Sequence, residues 1–110
     1  MREIKESDWK LLRRLHELAL ERYCRRVLDE SEQLHTDTSQ SAHQRYLAIY
    51  QLFHQRDKEL ARLFNDLRRS NALWQLAAIK GHGLLTGEEF AQFSEQTQYL
   101  VAVLLGEASG

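Results

Sequence analysis

Ser41-Ala42-His43-Gln44-Arg45-Tyr46-Leu47-Ala48-Ile49-Tyr50-Gln51-Leu52-Phe53 opens the stretch that decides the fold. Ser41 and Gln44 stand three apart at its start, the spacing of a capping box in which each side chain satisfies the other's backbone donor. Tyr46, Ile49, Tyr50, Phe53, Leu60, Leu63, Phe64, Leu67 and Trp74 then keep a helical period. No proline occurs in the chain and no glycine interrupts this stretch before Gly81, which is read as the C-cap. A helix running unbroken from Ala42 to Lys80 would be about 58 Å long at 1.5 Å per residue. A compact chain of this size has a radius of gyration of about 13 Å. The helix therefore breaks, with Arg69-Ser70-Asn71 as the best place and Ser70 as a new cap, or it protrudes and is supported by a partner. Continuity is the expectation adopted, because no residue there forces a stop.

Working outward, Ser7 is read as the N-cap of an earlier helix with Asp8 in its first turn. Leu12, Leu15, Ala19, Tyr23 and Val27 form its apolar stripe, widened by Leu11, Leu18 and Leu28, and it ends near Leu34. His35 to Gln40 is polar and reads as a loop. Towards the other end, Thr86 and Glu89 form a second capping box. Leu85 and Phe90 flank it as a hydrophobic staple, leading into a short helix that ends near Phe93. Ser94 starts a last helix carrying Tyr99, Leu100, Val103 and Leu104. The expected fold is an all-α helical bundle in one domain, residues 1–110, built around one long central helix. It has four helices, or five if the long one breaks.

The 110 residues carry a net charge of −1, with 43% hydrophobic and 28% charged residues. That balance opposes a global electrostatic drive towards nucleic acid or an anionic membrane. The most apolar run, Tyr99 to Leu105, is far shorter than the roughly 20 residues a spanning helix needs. The start, Met1 to Glu6, is charged and does not read as a secretory leader. A cytoplasmic setting without membrane association is expected.

Motifs that would carry chemistry are scarce. Glu32-x-x-His35 has di-iron spacing, but such sites need the motif twice, and the second match, Gln51-x-x-His54, lacks its carboxylate. Cys24 is the only cysteine, so it has neither a disulfide partner nor a second thiolate for zinc. No metal or cofactor is expected. No nucleophile elbow, Walker loop or dinucleotide fingerprint occurs. Arg22, Arg25, Arg26, Arg68 and Arg69 form a candidate basic patch for phosphates, diluted by interleaved acids such as Glu21, Asp29 and Asp66.

Two segments resist an ordinary amphipathic reading. Seven of eight residues are apolar from Tyr46 to Phe53, and again from Ala72 to Ile79. A helix apolar on all sides must be covered on all sides. Three other modest helices cannot easily cover both segments, so a second copy of the chain is the simplest partner. Tyr46, Tyr50, Phe53 and Trp74 are the candidate interface.

Ile4-Lys5-Glu6-Ser7-Asp8-Trp9-Lys10-Leu11, Ser41 to Tyr50, and Arg56-Asp57-Lys58-Glu59-Leu60-Ala61 resemble stretches of small helical proteins of no established function from bacterial genomes. The resemblance implies a bacterial origin and assigns no functional residue. The reading from the residues is a non-enzymatic interaction protein, an adaptor or regulator acting as a homodimer. The alternatives are a nucleic-acid accessory protein using the arginine clusters, and an enzyme whose site is assembled from scattered polar residues.

Overall fold

Asp8, Leu11, Leu12, Leu15, Ala19, Tyr23 and Val27 all lie buried along one winding stripe of the first helix, α1 (Glu6–His35). The structure, a computed structural model, describes residues 4–106. Among them are four further α-helices: α2 (Ala42–Phe64), α3 (Ala72–Gly81), α4 (Gly87–Phe90) and α5 (Glu95–Leu104). The described residues contain no strand, and the all-α fold expected from the sequence is the fold observed.

The longest helix is the first, with 30 residues, and not the second. From Leu15 the buried positions of α1 step by four, so each advances about 40° round the helix. The first half of α1 thus packs in a head with α3 and α5, and its second half faces α2. Leu18 and Leu28, read as widening the buried stripe, lie outside it and are 40% and 60% exposed. The α1 N-cap is Lys5 rather than Ser7, and no side chain caps this end. Its entry is set from afar: Arg69 binds the Glu6 carboxylate and donates to the carbonyl of Ile4, which is buried in the core. Asp8, two residues inside the helix, turns its carboxylate across the head to α5.

The expected continuous helix from Ala42 to Lys80 is broken. α2 stops at Phe64, and Asn65 is extended while Asp66 enters the left-handed region at φ 57°. Asp and Asn tolerate that conformation better than other non-glycine residues. Asn71 locks the reversal, accepting from the Arg68 amide at 2.8 Å and donating to the Asp66 carbonyl at 2.8 Å. Gln75 adds a bond to the Asn65 carbonyl at 2.6 Å. A 3-10 turn, Arg69–Asn71, then leads into α3, so Ser70 lies within a turn and does not cap a helix. The fold prefers the reversal because it lays the apolar run of α3 against α1 and α5. There Ala72, Leu73, Leu76 and Ala77 join Leu11, Leu12, Leu15, Phe93 and Val101 in one core.

The second core cluster sits beneath the end of α2. Ala19, Tyr23 and Val27 of α1 meet Leu63 and Phe64 of α2, Ile79 of α3 and Leu84. Gly81 is the last residue of α3, and the left-handed position is Gly83 at φ 71°. The Gly83 amide donates to the Lys80 carbonyl at 2.9 Å and the Leu84 amide to the Ile79 carbonyl at 3.2 Å. These two bonds make a Schellman ending, whose left-handed residue lies past the cap, so the stop glycine is Gly83 and not Gly81.

The Thr86–Glu89 capping box forms as expected, while α4 ends at Phe90 instead of near Phe93. Ser94 caps α5 by accepting from the Thr97 amide at 3.3 Å. Asp8 binds the same end: its carboxylate accepts from the Ser94 amide at 3.0 Å, the Ser94 hydroxyl at 2.6 Å and the Thr97 hydroxyl at 2.7 Å. Burial raises the Asp8 pKa, but the bonds from Ser94 and Thr97 outweigh it and hold the group below the usual carboxylate value.

Candidate interaction surface on the helical arm

Beyond the two clusters, the end of α1 and the start of α2 continue as an antiparallel two-helix arm. The described protein measures 52 × 27 × 22 Å with a radius of gyration of 16.9 Å, well above the about 13 Å of a compact chain. Where the second cluster gives out, polar groups hold the arm together. The Tyr23 hydroxyl stands 2.7 Å from a Glu59 carboxylate oxygen and 3.0 Å from the Arg56 carbonyl. Burial first, then the bond to Glu59, pushes this phenol well above its ordinary range. Arg56 grips Glu30 through two bonds, at 3.1 and 3.0 Å, which lower the Glu30 pKa and raise its own. At the tip, Arg45 donates to the His35 carbonyl at 2.7 Å and ties α2 to the end of α1.

Along α2 the side chains turned towards α1, among them Ile49, Leu52 and Leu60, are only half-buried. The others are open: Tyr46 at 65%, Tyr50 at 62%, and Leu47 and Phe53 at 42%. No residue from Ala42 to Arg62 is buried; the only buried residues of α2 are Leu63 and Phe64, at the head.

A groove of about 530 Å³ runs along the arm between its two helices. Its α1 wall is Tyr23, Cys24, Val27 and Leu28, and its α2 wall includes Tyr50, Phe53, Asp57 and Leu60. His54 lies at its rim, its ring parallel to that of Tyr50 with 6.3 Å between centroids. Three of the four candidate interface residues, Tyr46, Tyr50 and Phe53, therefore share one open helix. Trp74, also exposed, is on α3 and does not line the groove. Leu28, Cys24, Asp57 and Leu60 were not singled out as a site from the sequence. A signal was available, since Tyr46, Tyr50, Phe53, Asp57 and Leu60 succeed one another by four, three, four and three.

The five arginines of the candidate basic patch are not brought together. Arg22 grips both oxygens of Glu89, at 2.6 and 2.9 Å, and donates to the Leu84 carbonyl at 2.9 Å. The Arg22 bonds, with the capping amide of Thr86, pull the Glu89 pKa down to about 2. Arg26 reaches the carbonyls of His82 and Gly83, and Arg25 pairs with Glu21 on the surface. Arg69 is held at Glu6 beside the start of α1, about 24 Å along that helix from Arg22. Arg68 precedes the 3-10 turn, where its backbone amide is bonded to Asn71.

A second, smaller hollow of about 250 Å³ is lined by Arg26, Glu30, Arg56, Glu59, Tyr23 and His82. Its arginines and carboxylates are largely satisfied by one another or by carbonyls, while the His82 imidazole makes no bond to them. Glu32 and His35 lie exposed at the end of α1. Among the described residues no group of three or more His, Cys, Asp or Glu side chains is placed to hold a metal ion, and no helix is long and apolar enough to cross a membrane. Comparison with protein-family models, with curated proteins and with solved structures finds no match.

Proposed function

We propose that this is a non-enzymatic helical interaction protein, an adaptor or regulator, that acts as a homodimer through its arm. One observation carries the reading: from Ala42 to Arg62 α2 presents Tyr46, Leu47, Tyr50 and Phe53 to solvent and has no fully buried residue. Scattered exposed apolar side chains are normal, but a contiguous apolar patch of this kind marks an interaction site. The bacterial, cytoplasmic setting expected from the sequence is kept as part of this proposal.

The nucleic-acid alternative has less support, because Arg22, Arg26 and Arg69 already serve carboxylates and carbonyls within the fold. The enzyme alternative has less support, because the groove is lined mainly by apolar and aromatic side chains and its Cys24, His54 and Asp57 make no hydrogen bond to one another. Sedimentation equilibrium at tens of micromolar tests the homodimer. The expected result is a species of twice the 13.0 kDa chain mass, and a single species of 13.0 kDa would overturn it.

A further inference from the structure

Resting on the homodimeric reading above, we propose that two arms pair through antiparallel α2 helices whose two-fold axis passes between Tyr50 and Phe53. Asp57 of each copy then accepts a hydrogen bond from the partner's Tyr46 hydroxyl. The first ground is spacing. Tyr46, Tyr50, Phe53, Asp57 and Leu60 recur by four and three, the repeat of a helix seam that meets another helix. Four of the five line the groove, with Cys24 and Leu28 of α1 on its far side, so a helix laid along this seam also covers α1. Two arms joined in this way make a four-helix arrangement.

The second ground is the single charge in the seam. Asp57 makes no hydrogen bond or ion pair among the described residues, and covering its carboxylate without a donor is costly. A parallel pair in register would set Asp57 against the partner's Asp57, like charge on like. Antiparallel pairing leaves three registers that keep the seam together. If Tyr46 meets the partner's Tyr50, Asp57 faces the loop at Ser39, before α2 begins. If Phe53 meets the partner's Asp57, the carboxylate lies on a ring and Tyr46 must meet Phe64, which is already buried. With Tyr50 opposite the partner's Phe53, Leu60 meets His43 and Asp57 meets Tyr46, the one seam side chain besides Tyr50 that carries a phenolic donor. Of the three registers, only this one sets a phenolic donor opposite Asp57.

The third ground is area. An aromatic side chain offers about 150–250 Å², so the open parts of Tyr46, Leu47, Tyr50, Phe53 and Leu28 supply roughly 500 Å² per copy. A standard interface takes about 800 Å² per partner, so this pair belongs with the small, weaker interfaces that bury less than about 600 Å² per partner.

Cysteine cross-linking in a Cys24→Ser background tests the register. Tyr46→Cys protein mixed with Asp57→Cys protein should give a disulfide-linked dimer under mild oxidation, with the second Tyr46–Asp57 pair left intact. Neither variant alone should cross-link, because equivalent positions in an antiparallel pair lie about 16 Å apart along the axis. In the unmodified chain, Tyr46→Phe should raise the dimer Kd about tenfold or more by removing the donor from two covered carboxylates, while Tyr99→Phe leaves it unchanged. A dimer that cross-links through Tyr46→Cys with Tyr50→Cys instead, or through neither mixture, would overturn the register and leave the homodimer standing. An unchanged Kd for Tyr46→Phe would overturn the hydrogen bond. An unmodified chain that sediments as a monomer would overturn both readings.

Discussion

Ala72–Ile79 and Tyr46–Phe53 each hold seven apolar residues in eight, yet the first run is mostly buried while the second is at most half-buried. Both are helical, and neither has a polar face broad enough to meet water comfortably. The difference lies in what the chain places around them. α3 is gripped by α1 and α5 and by the returning end of α2, so Ala72, Leu76 and Ile79 reach complete burial. The start of α2 meets α1 along one side only, held at the tip by Arg45 on the His35 carbonyl and further along by the bonds among Tyr23, Glu30, Arg56 and Glu59. Two helices bury one stripe each; three or more are needed to enclose a helix that is apolar all round.

The contrast is open to direct attack, beginning where the loss is largest. Leu76→Ala removes a side chain with no exposure from the head and should cost about 3 kcal/mol in urea melts, with cavity formation included. A loss below about 1 kcal/mol would mean that α3 is not enclosed in solution. Asp8→Ala should cost about 2–3 kcal/mol, since it strips three bonds from the start of α5 and leaves the Ser94 and Thr97 donors covered.

The same carboxylate makes the head acid-sensitive. Asp8 and Glu89 have pKa values below their ordinary 3.8 and 4.5, so folding is favoured by the ionised forms. Their contribution is complete above about pH 5 and fades as pH falls through those values towards about 2. Glu89→Gln and Asp8→Asn should flatten this decline, and an unchanged slope would show that other groups govern it.

Thr86→Ala should cost about 1 kcal/mol, the usual loss for an N-cap whose hydroxyl accepts from the third amide of its helix. The smallest effect belongs to the arm. Tyr50→Ser, measured at concentrations where only monomer is present, should shift stability by less than about 0.5 kcal/mol, as for other surface substitutions. The same variant at tens of micromolar should weaken self-association sharply. A large monomer destabilisation would instead place Tyr50 in a core and dissolve the contrast between the two runs.

Local features were legible in the sequence, and long-range ones were not. The capping boxes at Ser41–Gln44 and Thr86–Glu89, and the cap at Ser94, were readable because each is closed by bonds spanning three residues. The stripe Leu12-Leu15-Ala19-Tyr23-Val27 was readable because burial imposes a period on one helix. The reversal at Asn65–Asp66 was missed. Nothing in the pair forbids helix, and the bonds that stabilise the break come from Asn71 and Gln75, which are useful only once the chain has turned. The arginines were misleading for the same reason: Arg22 and Arg69 find their carboxylates 67 and 63 residues away along the chain.

The amino-acid sequence by itself determined that this chain is all helix, where most helices begin, and that two of its segments are too apolar to stand alone. Those properties follow from torsional preference, capping and periodicity, which act within one or two turns. Tertiary structure decided which of the two segments would be covered. By folding back at Asn65 the chain brought α3 between α1 and α5 and left too little helix to enclose the start of α2. The start of α2 therefore kept Tyr46, Leu47, Tyr50 and Phe53 in solvent, on an arm that has α1 along one side only.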